Sequence, residues 1–424
     1  MSNWQKVKIG DFLFERKGRY KPNDEQIANL PRIEKIDFSG NFHIGNKDSK
    51  TDMILIKDGD LVISGINVAK GAIGIYSGED VTATIHYSSY TFDSNKINVE
   101  YFKRFLKSSE FIELLNEQVK GGIKTEIKPK HILPLEIQLP DINTQAQIVQ
   151  HFENVEDDIA NVTQEVLKQQ SLLKQLKKTI LQEAIEGKLT VKWRAKNPDF
   201  GTAKELLEQI KTEKEKLIKD KKIKASKPLA QINEDEIPFD IPPTWEWYRL
   251  GDYSINRDGE RKPISQIERE NRAKIYDYYG ASGVIDKIDG YTHDGIFLLI
   301  GEDGANLISR TTPIAFIANG KFWVNNHAHV LEFLNIVSLS YVEKYINAIN
   351  LKPYVTGGFQ PKLSQANLNN ILISIPPIEE QKEIVATIEK LFAICDELEA
   401  EINQNKTTVD NLMATVLKEA FEQQ

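Results

Sequence analysis

The sequence predicts an α+β fold: two mixed α/β domains separated by two long helices that pair as an antiparallel coiled coil. First, the stretch at 140–184 returns at 376–420, 236 positions later. Second, both copies carry apolar residues at alternating spacings of four and three, the pattern of a sustained helix–helix seam. Third, landmarks that precede the first copy recur before the second. The chain is therefore predicted to be an internal duplication with a pseudo-twofold repeat.

Each copy of the repeated stretch is predicted to form one long helix. The first seam consists of Ile148, Phe152, Val155, Ile159, Val162, Val166, Gln169, Leu173, Leu176, Ile180 and Ala184. The second consists of Ile384, Ile388, Leu391, Cys395, Leu398, Ile402, Asn405, Val409, Leu412, Val416 and Ala420. Gln169 and Asn405 interrupt the seams at equivalent places, where a buried amide would lower stability and could fix register. Each seam would span roughly 54 Å, at about 1.5 Å per residue.

Residues 1–140 are predicted to form the first mixed α/β domain. Apolar or β-branched runs separated by Gly/Asp turns predict strands at 53–56, 61–64, 72–76 and 81–85. Apolar residues at helical spacing then predict a helix over 101–119. A last strand is expected at about 135–139, and Pro140 ends it.

A connector and a second domain follow the first helix. The predicted segments are domain one at 1–140, the first spacer helix at 141–187, the connector at 188–244, domain two at 245–376 and the second spacer helix at 377–424. A highly charged part of the connector, 203–222, predicts a solvated helix, and the Pro-rich part at 226–243 predicts extended chain.

The second domain repeats the landmarks of the first but little else. Trp4 is echoed by Trp245, and the pair Gly121-Gly122 by Gly357-Gly358. Between such landmarks the two halves differ almost completely. Common frames with divergent interiors suggest that the domains attach to their helices in the same way and bind different targets.

Composition and charge are those of an ordinary soluble protein of two or three domains. Of the 424 residues, 40% are hydrophobic and 27% charged, and no apolar run reaches the roughly 18 residues of a membrane span. The start is not that of a signal peptide, and the single Cys395 excludes an internal disulfide, so we expect a cytoplasmic protein without membrane contact. Cys395 lies in the seam and is expected to be a small buried hydrophobe.

The net charge of −8, taken as a sum, argues against a nucleic-acid partner. However, residues 376–424 hold 4 Lys and Arg against 11 Asp and Glu, so much of the acidity lies in the second long helix. The two domains are close to neutral, and basic patches on them remain compatible with the sum.

Three segments superficially suggest catalysis or metal binding, and a plainer interpretation is favoured for each. The segment 197–200 (Asn-Pro-Asp-Phe) lacks the second proline of the adenine-methyltransferase motif and any preceding glycine-rich loop, so a turn is predicted. His327 and His329 would lie on one strand face without an obvious carboxylate partner, which disfavours a metal site. The segment 301–304 lacks the lysine of a phosphate loop. We predict no catalytic residue, cofactor or metal.

Several motifs together resemble those of a known family, the specificity (S) subunits of Type I restriction-modification systems. They are Leu-Pro-Asp-Ile-Asn-Thr-Gln-Ala-Gln-Ile-Val at 139–149, Ile-Pro-Pro-Ile-Glu-Glu-Gln-Lys-Glu-Ile-Val at 375–385, Glu-Ala-Ile-Glu-Gly-Lys-Leu-Thr at 183–190, Thr-Ala-Lys-Glu-Leu-Leu at 202–207, and Ile-Pro-Phe-Asp-Ile-Pro at 237–242 before Trp245-Glu246-Trp247. The resemblance covers essentially the whole chain.

The resemblance implies a non-catalytic DNA-binding subunit. In that family, two target-recognition domains each read half of a bipartite DNA sequence, while the two helices set the spacing and dock methyltransferase (M) subunits. The implied partners are double-stranded DNA, two M subunits and, in the full complex, restriction (R) subunits. Helices of the predicted length could hold two readers more than one DNA turn apart, about 34 Å.

Candidate DNA-binding residues are polar side chains on three loops of each domain, since base reading needs donors and acceptors that reach groove edges. In the first domain they are Ser64, Asn67, Lys70, His86, Tyr87 and Lys124. In the second they are Glu302, Asp303, Asn306, Arg310, Asn325, Asn326, His327, Gln360 and Lys362. For any one position the alternative is a solvated loop residue or a turn former. Glu302 and Asp303 are the most ambiguous, because paired acids repel phosphates unless they accept from a base.

Apolar residues outside the seams predict a second apolar face on the helices. They are Leu172, Leu181, Ile185, Phe392, Leu417 and Phe421. A docking partner would cover this face, whereas the alternative is a purely structural rod. For the whole chain, the alternatives are a coiled-coil scaffold with globular protein-binding ends, and a stand-alone nuclease or methyltransferase.

Overall fold

The computed structural model describes residues 4–46, 49–66, 72–118, 127–225 and 228–422. Internal contacts divide the chain into unit 1, which comprises 1–167 and 403–424, and unit 2, which comprises 168–402. Both division points fall inside long helices. Each unit therefore contains one α/β domain together with parts of both helices.

Unit 1 begins with strands. In the described residues these are β1 (Gln5–Lys8), β2 (Leu13–Glu15), β3 (Arg32–Ile36), β4 (Phe42–Gly45), β5 (Met53–Ile56), β6 (Leu61–Ser64), β7 (Ile73–Ile75), β8 (Val81–Thr84), β9 (Tyr87–Phe92) and β10 (Glu136–Leu139). The helices are α1 (Val99–Phe105), α2 (Ser109–Gln118) and α3 (Pro129–Ile132), after which the chain enters α4 (Ile142–Ile185).

Two sheets and the start of α4 enclose the cores of unit 1. The strands are ordered β2-β9-β6-β7 in one sheet and β4-β3-β8-β5 in the other. Aromatic residues of α1 and α2, such as Phe102 and Phe111, pack with Phe152 of α4 in one buried cluster. The start of the long helix therefore belongs to the core of its domain.

The predicted strands at 53–56 and 61–64 coincide with β5 and β6, and the predicted single helix at 101–119 is wrong. The helix is interrupted between α1 and α2 because the Ser108 side chain forms hydrogen bonds with main-chain groups there. Its hydroxyl donates to the carbonyl oxygen of Phe105 (2.7 Å) and accepts from the amide of Phe111 (3.2 Å). A serine at this position competes with the helical ladder and starts a new helix.

Unit 2 repeats this plan with a larger sheet. Its strands are β11 (Glu246–Arg249), β12 (Ile255–Asn256), β13 (Tyr276–Gly280), β14 (Gly283–Ile288), β15 (His293–Gly301), β16 (Ala315–Val324), β17 (Ala328–Glu332) and β18 (Leu372–Ile375). Its helices are α5 (Val191–Lys196), α6 (Ala203–Lys219), α7 (Leu250–Tyr253), α8 (Gln266–Glu270), α9 (Asn306–Ser309), α10 (Ile336–Ala348) and α11 (Gln365–Asn369), and α12 (Ile378–Glu422) follows. One sheet has the order β12-β17-β15-β16-β13-β14.

The first and last strands of each domain pair with each other. In unit 1, β1 and β10 are antiparallel with Gln5 opposite Leu139, and in unit 2, β11 and β18 are antiparallel with Glu246 opposite Ile375. Each two-stranded ribbon leads directly into a long helix. The duplication predicted from sequence landmarks is therefore present as a duplicated frame.

The long helices run in opposite directions within unit 2, as predicted. The Lys177 ammonium of α4 lies 2.8 Å from a carboxylate oxygen of both Asp396 and Glu399 on α12. Further along α4, the carbonyl oxygen of Ile185 accepts a hydrogen bond from Ser374, just before α12 begins (2.8 Å). Cys395 of the seam is 1% exposed, which confirms it as a buried residue. No helix in the described parts of the chain is apolar and long enough to cross a membrane.

The connector helix α6 is fastened to the domain that follows it. The prediction of a solvated helix is wrong for one face, where Leu206, Leu207 and Ile210 are buried. The Lys214 ammonium donates to the carbonyl oxygens of Gly251, Asp252 and Ser254 at 2.8–3.2 Å, and burial lowers its pKa. The charged residues of α6 thus cover one side of an amphipathic helix.

Candidate nucleic-acid interface

In both units the predicted recognition loops are joined by the same pair of main-chain hydrogen bonds, which we term the loop junction. In unit 1 the amide of Gly65 donates to the carbonyl of His86 (2.8 Å), and the amide of Ile127 donates to the carbonyl of Gly65 (2.8 Å). The strands that lead into it, β6 and β9, place Ser64 opposite Tyr87. Three segments that are distant in sequence therefore meet at one point.

The junction of unit 2 has the same wiring. The amide of Glu302 donates to the carbonyl of His327 (2.8 Å), and the amide of Leu363 donates to the carbonyl of Glu302 (2.7 Å). The strands β15 and β17 lead into it and place Gly301 opposite Ala328. Glu302, His327 and Leu363 thus correspond to Gly65, His86 and Ile127. The frame is common to the two units, whereas its central residue is a glycine in one and carries a carboxylate in the other.

The predicted residues of unit 1 fall around its junction where the structure describes them. Ser64 is buried at the end of β6, and His86 is exposed in the turn between β8 and β9. Tyr87 is half-buried against the core of the second sheet, and this burial raises its pKa. Asn67, Lys70 and Lys124 lie outside the described residues.

Opposite charges surround the junction of unit 2. The Glu302 carboxylate lies 2.7 Å from the Arg261 guanidinium and 3.2 Å from the Lys362 ammonium. Burial by itself raises the pKa of Glu302, but the ion pairs with Arg261, Lys362 and nearby His329 outweigh it, so the net pKa is lowered. Glu302 is therefore a neutralised anchor for the loops rather than a bare negative charge.

The neighbouring acid is paired as well. A carboxylate oxygen of Asp303 lies 2.7 Å from the His327 imidazole, which is about half exposed. Asn325 is buried and its side-chain oxygen accepts from the amide of His327 (2.8 Å), so it shapes the turn. Asn326, Gln360 and Lys362 are exposed beside it. Donors and acceptors from three loops are thus presented together, as base reading requires.

Two predicted residues of unit 2 are engaged away from the junction. The side-chain oxygen of Asn306 accepts from the hydroxyl of Thr311 (3.1 Å) and the amide of Thr312 (3.2 Å) and closes its own loop. The Arg310 guanidinium donates to the carbonyl oxygen of Ile349 (3.0 Å), and burial lowers its pKa to about 10. Both side chains are occupied in holding the loop after α9, so we remove them from the set of candidate readers.

Sequence reasoning missed the buried support under the unit 2 junction. His329 lies 2.6 Å from a carboxylate oxygen of Asp258, and its other ring nitrogen donates to the carbonyl oxygen of Leu363 (2.7 Å). The expectation that His327 and His329 share a strand face and lack carboxylate partners is wrong, because His327 precedes β17 and each histidine has an aspartate. Among the described residues, no cluster of three or more His, Cys, Asp and Glu suited to a metal ion is found.

The long helices begin at a pair of equivalent buried amides. Gln145 donates to the carbonyl oxygen of Pro140 (2.8 Å) and accepts from the amide of Asn98 (2.7 Å). Gln381 likewise donates to the carbonyl oxygen of Pro376 (2.8 Å) and accepts from the hydroxyl of Ser338 (3.1 Å). Each glutamine joins the first turn of its helix to the neighbouring domain, which explains why proline and glutamine recur five residues apart.

The apolar docking residues divide between exposed and buried. Leu172 is 52% exposed, Leu181 and Phe392 are half-buried, and Ile185 is 1% exposed. The structure therefore removes Ile185 from the predicted docking face, because its side chain is already buried in the chain itself. The side chains of Leu417 and Phe421 lie outside the described part of the structure. Other apolar residues exposed on the helix parts of unit 2 are Leu176, Ile394 and Leu398.

A single family of known proteins matches both halves of the chain. The family model of the Type I restriction modification DNA specificity domain matches residues 1–169 and 242–405. A putative type I restriction enzyme specificity subunit of Haemophilus influenzae is 36% identical over 153 residues, which is 36% of this chain and 38% of the relative. The EcoEI specificity subunit of Escherichia coli is 28% identical over 261 residues, covering 55% of this chain and 42% of that protein. The alignments thus span less than half of these relatives.

Two solved structures share the fold over nearly the full chain. The HsdS subunit of Thermoanaerobacter tengcongensis has a TM-score of 0.60 at 15% identity and covers 99% of this chain and 97% of its own. A chain from a study of complex assembly and conformational transition of the type I R-M system has a TM-score of 0.63 at 15% identity, with the same coverage. These matches confirm the predicted fold class. The chain belongs to the family of Type I restriction-modification DNA specificity proteins.

Proposed function

We propose that this chain is the non-catalytic subunit that selects the DNA sequence in a Type I restriction-modification complex. One observation carries the proposal: the two units build the same loop junction from the same main-chain bonds and surround it with different side chains. A repeated frame with different polar surfaces suits a protein that reads two unlike half-sites of double-stranded DNA.

The charge pattern of unit 2 supports this proposal. An uncompensated pair such as Glu302 and Asp303 would repel phosphates, but Glu302 forms ion pairs with Arg261 and Lys362, and Asp303 is hydrogen-bonded to the His327 imidazole. Exposed Asn326, Gln360 and Lys362 beside them carry the donors that pair with base edges. We therefore assign the reading of one half-site to this cluster, and that of the other to the loops around Ser64, His86 and Tyr87.

The long helices serve as the spacer and as the docking site for two methyltransferase subunits in this proposal. Leu172 and Leu176 on α4, and Ile394 and Leu398 on α12, are exposed apolar pairs four residues apart, and they include the seam residues Leu176 and Leu398. Exposed apolar residues on one helix face are typical of an interface. Restriction subunits would join the assembled complex. The complex would act on cytoplasmic DNA.

Reconstitution tests the proposal. We expect the chain together with its methyltransferase subunits to shift a bipartite DNA target in an electrophoretic assay at stated salt, and a target with either half-site scrambled to bind much more weakly. The target itself would be obtained by methylome sequencing of cells with and without the gene. Methylation regardless of sequence would refute sequence selection. Assembly without any DNA shift would favour the alternative of a coiled-coil scaffold with protein-binding ends.

A further inference from the structure

Phe359 of unit 2 is a large apolar side chain that is fully exposed to solvent. It stands at the tip of a loop between β-bridge partners Thr356 and Lys362, whose amides and carbonyls are hydrogen-bonded in both directions at 2.9 and 2.8 Å. None of the large apolar side chains that the structure describes is more exposed, so a partner that covered this ring would remove its whole surface from water. The position of this loop next to the loop junction indicates which kind of partner would cover the ring.

The base of this loop is hydrogen-bonded to the residues of the loop junction. Lys362 forms a second β-bridge with Asp303, and the amide of Gly304 donates to the carbonyl oxygen of Pro361 (3.0 Å). Leu363, the next residue, is the third member of the junction itself. The base of the Phe359 loop therefore lies beside the polar side chains that we assign to base reading.

The residues next to Phe359 make the tip narrow. Gly357 has a φ of +84°, and a Cβ there would lie 2.5 Å from the carbonyl oxygen of Gln360, so the turn requires glycine. Gly358 adds no side chain either, and a Cβ there would meet nothing within 4 Å. A main chain without side chains on one flank can approach a sugar–phosphate backbone closely. The phenyl ring then projects beyond it.

We propose that Phe359 is a wedge that inserts between adjacent base pairs of the half-site read by unit 2. Apolar side chains on rigid loops unstack a base step and bend the duplex, which brings more protein surface into contact with DNA. Lys362, exposed at the base of the same loop, belongs to the base-reading cluster, so the wedged step would border the bases which that cluster reads. The sequence repeat places apolar Ile123 at the position equivalent to Phe359, although it lies outside the described residues. The proposal rests on the proposed DNA-reading function.

The test uses the full chain assembled with its methyltransferase subunits and a target DNA with 2-aminopurine at each adenine in turn, except the methylated one. We expect the wild-type complex to brighten the probe at one step of one half-site. Phe359→Ala should abolish that brightening and weaken binding roughly tenfold, the range of one lost stacking contact. Phe359→Leu should retain most of the brightening, because leucine also wedges. The matched control is Phe38→Ala, which removes an exposed phenylalanine of unit 1.

Three results would overturn the wedge. The first is a Phe359→Ala complex that binds and brightens the probe like the wild type. The second is equal loss of brightening in the Phe38→Ala control. The third is loss of methyltransferase subunits from the Phe359→Ala complex on size-exclusion chromatography, which would make Phe359 a protein contact. Failure of the DNA-reading function itself looks different, since the wild-type complex would then bind no specific target. Thermal unfolding of each variant verifies that it is folded.

Discussion

His86 and His327 occupy equivalent positions although the sequences around them differ. The main-chain carbonyl oxygen of each histidine accepts one of the two hydrogen bonds of its loop junction. The main chain is therefore fixed there, while the imidazole lies at the surface. The His327 ring is about half exposed and paired with Asp303. An imidazole held by a carboxylate at Nδ1 presents its other ring nitrogen in a defined direction to a groove edge.

We expect His86→Ala to weaken binding at one half-site and His327→Ala at the other. Loss of one base or phosphate contact should lower affinity by about 1–3 kcal/mol, because each acts on a single reading surface. Affinity of the assembled complex for targets scrambled in either half would assign each histidine to its half-site. His43→Ala is the control, since this exposed histidine pairs with Asp37 away from the junction. A large drop in melting temperature for both variants would instead show a structural role.

Glu302 should make stability depend on pH. Its pKa is lowered from 4.5 in the folded state, so the carboxylate stabilises unit 2 fully above about pH 5. That contribution is lost as the pH falls below 4.5 through the lowered folded value. Glu302→Gln is therefore expected to destabilise the chain by about 1–2 kcal/mol at about pH 7, and this difference is expected to shrink as the pH falls below 4.5. Denaturant titrations at several pH values measure it.

The control for that series is Glu268→Gln, which changes an exposed carboxylate of the same unit. It should alter stability by less than about 0.5 kcal/mol at every pH. A Glu302→Gln variant as stable as the wild type at neutral pH would contradict the role assigned to the ion pairs.

At the level of single residues, the sequence indicates candidate loops for DNA binding but not how their side chains are paired. Glu302 and His327 could be chosen because polar residues follow predicted strands. Arg261, which neutralises Glu302, and Asp258, which holds His329 beneath the junction, lie many residues away, and only the folded sheet brings them there. For the same reason the sequence alone predicts Arg310 as a reader, whereas its half-buried guanidinium donates to a main-chain carbonyl oxygen in the structure.

At the scale of the elements, a buried glutamine joins the start of each long helix to its domain. Gln145 and Gln381 are fully buried, and each bonds a proline carbonyl and a group of the adjacent domain. A glutamine has both a donor and an acceptor, so one side chain satisfies both ends of the joint. Alanine would leave these buried partners without bonds.

Gln145→Ala is expected to lower the free energy of unfolding by about 2–3 kcal/mol, because the Asn98 amide and the carbonyl oxygens of Pro140 and Lys96 lose their partner. Thermal or denaturant unfolding measures the loss. Gln147→Ala is the matched control, since it makes the same substitution at an exposed glutamine in the same stretch of α4. Equal stability of the two variants would contradict the joint.

Strands and long helices were predictable where local pattern and burial agree. The strands β5 and β6 match because a Gly/Asp turn separates their apolar runs, and the long helices match because the heptads persist along each seam. The break at Ser108 and the docked face of α6 were not predicted. The break depends on competing hydrogen bonds of Ser108, and the buried face of α6 depends on a tertiary contact. The spacing of apolar residues in the sequence indicates neither of them.

For the whole molecule, the proposed function makes the long helices a spacer that can be altered independently of the readers. Deleting seven residues at matched positions from α4 and α12 should shorten the preferred gap between half-sites by about 2–3 base pairs, because seven helical residues span about 10 Å. Binding selection from DNA with randomised gaps would measure this. A deletion of seven exposed residues from the connector should leave the gap unchanged, and an unchanged gap in the helix variant would refute the spacer role.

The loop junctions also bear on how such a protein can evolve. Their hydrogen bonds involve only main-chain amides and carbonyls, and any residue except proline can supply both. Side chains at His86 and His327, which enter the junctions only through their carbonyl oxygens, can therefore be replaced without removing these hydrogen bonds. A lineage could therefore change the DNA sequence that it recognises by one residue substitution at a time, while the main-chain frame stays folded at each step.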